Sequence, residues 1–174
     1  MKKSAPSVPA QFKSLVKRII DLGAVEAKVI NASSVVTAGW VRLKCQYGCG
    51  GYGSSLCCPP NTPTPEQTQK TIDGYENAIL AHFSVNGSAT KAMITLERET
   101  FLQGYHKAFA FGAGPCLLCK SCREDGCKHP DRARPSMEAC GIDVYATARG
   151  NGFPIQVVLD ESTKQNYYAL LLIQ

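Results

Sequence analysis

The sequence has no long apolar run, and it lacks the features that direct a chain into or across a membrane. No stretch approaches the about 20 apolar residues that a membrane-spanning helix needs. The start, MKKSAPSVPAQF, is positively charged but has neither the apolar core nor the small-residue cleavage site of a secretory signal. We therefore expect a soluble, cytoplasmic protein, with a flexible arm over 1–10 and a single domain over 11–174.

Several functional signatures are missing as well. The glycines of GCGGYG are not followed by GK[ST], so they do not predict a phosphate-binding loop. The 19 basic and 14 acidic side chains give a net charge of +5, but the basic residues are dispersed and not interleaved with aromatic residues. This disfavours a nucleic-acid partner. No acid–base pair or nucleophile triad stands out, so the sequence argues for an electron-transfer or accessory protein over a stand-alone enzyme.

The hydrophobic periodicity predicts a mixed α+β fold without repeats or linkers. Apolar residues at helical spacing predict helices at 12–23, 65–74 and 89–106, the last with Glu97, Arg98 and Glu99 facing water. Thr64 followed by Pro65 predicts the N-cap of the second of these helices. Strands are predicted at 24–30, 76–85 and 107–111, while 35–43 fits either a strand or a short helix.

The rest of the chain is predicted to contain an irregular glycine- and proline-rich loop, a further helix and a hairpin. The loop is the cysteine-bearing segment 43–68, and the helix follows Pro135 and runs through 136–149. Two strands at 154–159 and 167–173, joined by DESTKQN, are predicted to form a C-terminal β-hairpin.

Nine cysteines form two groups, LKCQYGCGGYGSSLCCPP and GPCLLCKSCREDGCKHP with EACGIDV after it. In a reducing compartment such clusters indicate metal ligands more than disulfides, and an odd number leaves one thiol over in any fully paired scheme. Thiolates prefer iron–sulfur clusters or zinc. Cys116, Cys119 and Cys122 stand as CxxCxxC, which resembles the run of a bacterial ferredoxin more than the paired CxxC of a zinc site.

Eight thiolates would fill two four-cysteine centres. Cys116, Cys119 and Cys122 are assigned to one centre, and Cys45, Cys49 and Cys58 to the other. We choose Cys58 over Cys57 because Pro59 and Pro60 hold it in extended backbone. The sequence leaves open which of Cys127 and Cys140 completes which centre.

The joint motifs CQYGCGGYG, CPP, GPCLLCKSC and CKHPDRARPSMEACGIDV resemble the predicted metal-binding proteins grouped as domain of unknown function 2284. The resemblance extends over about 24–158. It implies metal binding, with cysteines of the family pattern at Cys45, Cys49, Cys58, Cys116, Cys119, Cys122, Cys127 and Cys140, and without Cys57. It implies a bacterial or archaeal, often anaerobic, setting and no particular reaction.

The sequence thus predicts an iron–sulfur protein with two [4Fe-4S] clusters that exchanges single electrons with a redox protein partner. The alternative is a zinc-binding structural or interaction module without redox activity. The basic side chains around the second group either donate to cluster sulfurs, receive an acidic partner or are plain surface charge; they are Lys120, Arg123, Arg132 and Arg134. Nothing in the sequence indicates the oligomeric state.

Overall fold

The structure, a computed structural model, describes residues 10–84, 88–122 and 125–174. The predicted arm lies outside these ranges except for Ala10, where the first helix begins. The helices are α1 (Ala10–Asp21), α2 (Gly39–Gly48), α3 (Pro65–Ile72), α4 (Ser88–Leu102) and α5 (Val144–Gly150), with 3₁₀ turns at Ala32–Ser34 and Glu138–Cys140. The strands are β1 (Glu26–Asn31), β2 (Asn77–Phe83), β3 (Phe109–Phe111) and β4 (Tyr167–Leu172).

The four strands form one antiparallel sheet in the order β1-β2-β4-β3. The sheet separates two apolar clusters. Because helices pack on both of its faces, the fold is mixed α+β, as predicted. On one face α1 and α4 pack against alternate residues of β2 and β4, such as Ile79 and Leu171. On the other face Leu80 and Leu170 pack with α3, α5 and the turn at Glu138–Cys140. Because β2 and β4 are buried on both faces, their sequences are nearly continuous runs of apolar residues.

Local signals placed most elements correctly. Phe12, Leu15 and Ile19 are fully buried, which explains why their spacing predicted α1. Thr64 caps α3 by accepting from the Gln67 N–H, and the Gln67 side chain accepts from the Thr64 N–H in return. No helix in the described ranges has the length and apolarity needed to cross a membrane.

The predicted C-terminal strand is confirmed, but its predicted hairpin partner is wrong. In the structure 154–159 forms no strand, although its backbone is described throughout. β4 is hydrogen-bonded to β2 on one side and to β3 on the other, so both of its edges are occupied by segments from earlier in the chain. A sequence pattern shows that β4 is buried, but it does not reveal which strands flank it.

Two predictions about the cysteine segments are also corrected. The first cysteine group was expected in an irregular loop, yet α2 continues through Gly48 and carries Cys45. The helix predicted over 136–149 is divided at Gly141, which has a left-handed φ of +77° and ends the turn at Glu138–Cys140. Helix α5 then begins anew after Asp143, whose side chain accepts from the Ala146 N–H.

Position 141 requires glycine because its backbone is left-handed and because Pro65 leaves no room for a side chain. We expect Gly141→Ala to lower the free energy of unfolding by about 2–4 kcal/mol. An added Cβ would lie 2.5 Å from Pro65 Cγ. Denaturant titration of the metal-loaded chain measures the effect. Gly150→Ala is the matched control, because Gly150 lies in α5 with nothing within 4 Å of its added Cβ. Equal losses in both variants would contradict this account of the break in the predicted helix.

Candidate metal centres

One cavity, which we call the loop cavity, is lined by all cysteines of the second group except Cys140. Its volume is about 260 Å³, and its walls are formed by 54–57, 115–122 and 127–128. Five thiols lie in these walls: Cys57, Cys116, Cys119, Cys122 and Cys127. The three cysteines of CxxCxxC, which the sequence assigned to one centre, are therefore brought together with Cys127. Cys57, predicted to be the spare cysteine, lies among them.

Backbone N–H groups point at sulfur atoms around this cavity. The Leu56 N–H donates to Cys122 Sγ at 3.4 Å, and the His129 N–H donates to Cys127 Sγ at 3.3 Å. Such bonds favour the thiolate form of a cysteine and tune any metal that the sulfur binds. The Leu56 contact also joins the two cysteine groups, since Leu56 and Cys122 are 66 residues apart in sequence.

The segment before Cys116 is held against α4. Gly112 approaches Thr90 so closely that an added Cβ would lie 2.2 Å from Thr90 Oγ1. The same hydroxyl accepts from the Ala113 N–H at 3.2 Å. The Gly112 N–H donates to Pro135 O at 2.8 Å, which closes the chain around the CxxCxxC loop.

Arg134 lies at the far end of this loop, and its charge is paired with Glu97 of α4. Its Nε donates to Glu97 Oε2 at 2.8 Å, and both side chains are only 15% and 13% exposed. Glu97 thus does not face water as the helical pattern predicted. The hydrogen bond and the charge of Glu97 raise the pKa of Arg134 above its usual value. Arg132 donates to His129 Nδ1 at 2.8 Å, and Arg123 lies outside the described residues.

Two cysteines of the first group face a second cavity, the helix cavity, of about 490 Å³. Cys45 of α2, Cys49 just beyond that helix and Glu138 line it, together with apolar side chains of α2, α5 and the C-terminal region. Cys49 Sγ accepts from the Gly51 N–H at 3.4 Å. A charge on Cys58 would raise the pKa of Cys45 and that of the adjacent Cys57.

Arg42 joins the segments around the helix cavity. Its Nη1 donates to Thr62 O at 3.2 Å, Pro63 O at 3.0 Å and Ala139 O at 3.2 Å. These bonds fix α2, the chain after Cys58 and the turn at Glu138–Cys140 relative to one another. Cys140 is fully buried in that turn, and its carbonyl accepts from Thr68 Oγ1 at 2.7 Å.

Burial keeps several of these thiols protonated when no cation is present. It raises the pKa of Cys140 to about 12, although Arg42 opposes the shift. Burial and then the charge of Cys116 raise the pKa of Cys57 to about 12. Burial, followed by the charges of Cys49 and Glu138, raises the pKa of Cys45. A bound cation would stabilise the thiolates, and its binding would release these protons.

The cysteines line their cavities as separate donors. Among the residues that the structure describes, no three His, Cys, Asp or Glu side chains lie close enough together to hold a single metal ion. The donor set nevertheless suits a soft or borderline metal, since five thiols lie in one cavity. Sequence reasoning did not single out Glu138, which lines the helix cavity, or Arg42, because their contacts join distant segments of the chain.

Comparison with known proteins agrees with this chemistry. A family model described as predicted metal-binding protein (DUF2284) matches residues 28–173, nearly the whole chain. No curated protein and no solved structure matches. The family description specifies neither the metal nor a reaction. By this match the chain belongs to the DUF2284 family of predicted metal-binding proteins.

Proposed function

We propose that the protein holds two iron–sulfur clusters and passes single electrons to or from a redox protein partner in a reducing compartment. The observation that carries the proposal is the loop cavity, where five thiols, three of them from CxxCxxC, line one space. In a cluster with four irons each thiolate binds a different iron, so the donors need not converge on one point. This arrangement favours a cluster over a single tetrahedral zinc ion, whose four ligands must meet.

The geometry supports one division of the ligands over the other. Cys127 lies in the loop cavity with Cys116, Cys119 and Cys122, which gives that centre four thiolates from one loop. The remaining predicted ligands are Cys45, Cys49, Cys58 and Cys140. Cys140 lines neither cavity, but it shares a turn with Glu138, whose carbonyl oxygen is 4.0 Å from Cys45 Sγ. We therefore assign Cys140 to the centre at the helix cavity.

A cluster supplies the redox-active electrons, and the chain's part is to hold it, tune it and leave it accessible. The N–H groups of Leu56, His129 and Gly51 donate to sulfurs and stabilise negative charge there, which raises the reduction potential. Cys122 is exposed, and the neighbouring Leu117 and Leu118 are 73% and 39% exposed. A partner can therefore approach the loop cavity from solvent.

Metal analysis of the chain purified without oxygen tests the proposal. We expect about eight irons and eight acid-labile sulfides per chain, with visible absorption that bleaches and an EPR signal that develops on reduction with dithionite. About four of each would support one cluster and leave half of the cysteines without that role. A colourless, zinc-loaded protein without sulfide would overturn the proposal in favour of the zinc module.

The vicinal cysteines allow a sharper test of the ligand assignment. We expect Cys57→Ser to retain both centres, because the loop cavity keeps four other thiols. Cys58→Ser should lose about half of the metal, since it leaves the helix-cavity centre one thiolate short. Iron and sulfide counts on the two variants measure the difference. If Cys57→Ser loses metal and Cys58→Ser keeps it, Cys57 is the ligand and the assignment of Cys58 is wrong.

A further inference from the structure

Six large apolar side chains are exposed on two segments of the chain. Three lie on one face of α2, at spacings of three and four residues, and three are consecutive in the segment after α5. Each of the six is between 45% and 83% exposed. We call them the α2 surface: Trp40, Leu43, Tyr47, Val157, Val158 and Leu159. Single exposed apolar residues are ordinary, but a group that includes a tryptophan and a tyrosine is typical of a protein–protein interface.

The two segments of the α2 surface meet at one cavity. Trp40 of α2 and Val158 both line the helix cavity, so their side chains belong to the same part of the molecular surface. The segment before Val158 is attached to the body of the protein, because Tyr168 donates through its hydroxyl to Pro154 O and Arg149 Nη2 donates to Ile155 O at 3.5 Å. Both segments are therefore held in place while their outer side chains stay uncovered.

The segment 154–159 has the residues of a strand but no strand beside it. Val157 and Val158 are β-branched, and such side chains favour a pleated surface on which they can pack. Within the described ranges, the backbone groups of 156–158 make no hydrogen bond. Contacts within the chain thus do not account for this apolar, strand-like segment, whereas contacts with another chain would.

The charges beside these apolar side chains favour a second copy of this chain as the occupant. Helix α2 has no acidic residue and exposes Lys44, whereas 155–161 has no basic residue and ends in Asp160 and Glu161. Within the part of the chain that the structure describes, neither Lys44 nor Glu161 has a hydrogen bond or an ion pair. A surface with a base on one side and an acid on the other is complementary to itself when a second copy is turned by 180°.

We propose that the α2 surface is the interface of a homodimer, in which α2 of each copy packs on 157–161 of the other about a two-fold axis. The six apolar side chains form its centre, and Lys44 of each copy meets Glu161 of the other copy at its rim. The dimer also covers the helix cavity, since Trp40 and Val158 are in its walls. This inference goes beyond the proposed function and depends neither on the metal nor on electron transfer.

Sedimentation equilibrium of the metal-loaded full-length chain, purified without oxygen so that disulfides do not join copies, tests the proposal. We expect a particle of twice the 18.8 kDa chain mass that dissociates on dilution. Leu43→Glu and Leu159→Glu should each weaken dimerisation at least about tenfold, because each places a charge in the apolar centre of the interface. Leu102→Glu, at an exposed leucine that ends α4, is the matched control and should leave the dimer unchanged.

A charge exchange tests the reciprocal contact. Lys44→Glu and Glu161→Lys should each weaken the dimer about tenfold, because each brings like charges together twice about the two-fold axis. The double variant restores the opposite charges, and we expect its dissociation constant to return to within about threefold of the wild-type value. A double variant as weak as the single ones would overturn the reciprocal arrangement.

A wild-type chain that is monomeric throughout the dilution series would also overturn the proposal. So would a dimer that Leu43→Glu and Leu159→Glu leave intact, or that Leu102→Glu weakens as much, since the interface would then lie elsewhere. Far-UV circular dichroism of each variant reports folding, and Leu159→Glu decides if Leu43→Glu does not fold. Sulfide measured on the wild-type sample tests the iron–sulfur proposal separately, because a dimer can lack sulfide and a monomer can contain it.

Discussion

Replacing both Cys119 and Cys122 with serine is expected to remove about half of the bound metal. Both thiols line the loop cavity, and their loss leaves only three there, Cys57 included. Two thiols are removed together because Cys57 could otherwise replace a single missing ligand. The helix-cavity centre should keep its metal, since its proposed ligands are on or just after α2, at Cys58 and in the turn at Glu138–Cys140.

The sheet should survive this change. The two apolar clusters that sandwich it are built from α1, α3, α4, α5 and the strands, and the cysteines of the loop cavity belong to neither. Far-UV circular dichroism should therefore stay close to that of the wild-type chain while iron and sulfide fall. Cys45→Ser should remove the other half, and the two losses should add. Loss of all metal from either variant would indicate one shared centre instead of two.

Glu97→Gln is expected to lower the free energy of unfolding by about 2–4 kcal/mol, the cost of leaving the largely buried charge of Arg134 without its partner. Glu97 accepts from Arg134 and, at 2.7 Å, from the Ala110 N–H of β3. One carboxylate on α4 thus holds both an edge strand and the end of the cysteine loop. Arg134 also donates to Pro130 O and Ala133 O, so we expect weaker metal retention in the loop cavity as well.

Glu99→Gln on the same helix is the matched control. Glu99 pairs with Arg18 at 2.7 Å, but the side chains are 34% and 43% exposed, so we expect a loss below about 1 kcal/mol. Denaturant unfolding compares the two variants. In a double-mutant cycle, Glu97→Gln with Arg134→Met should cost less than the two single changes summed. Equal effects of Glu97→Gln and Glu99→Gln would show that burial of the first pair contributes nothing.

The contrast between these two glutamates illustrates what a helical pattern can and cannot predict. Both lie on the polar side of α4, and spacing alone predicts that both face water. Glu97 is nevertheless only 13% exposed, because β3 and the segment ending at Arg134 cover that part of the helix. The covering segments arrive from later in the chain, and their position is not encoded in the periodicity of α4.

The division of the predicted helix at Gly141 has a similar origin. The interval between Pro135 and Gly150 carries helix-compatible spacing, and a glycine inside a helix is only a modest penalty. The left-handed backbone of Gly141 and its contact with Pro65 of α3 decide against a continuous helix. That break orients Cys140 into the core and Glu138 toward the helix cavity.

The sequence by itself determined the elements with strong local signals, which are α1, β1, α3, β2, α4 and β3, and the grouping of Cys116, Cys119 and Cys122. Three-residue steps bring side chains of one loop to one place whatever the rest of the chain does. Tertiary structure alone decided that Cys57 and Cys127 share that cavity, that Glu138 stands beside Cys45, and that β4 lies between β2 and β3. Each of these depends on the packing of segments far apart in sequence, which no local pattern specifies.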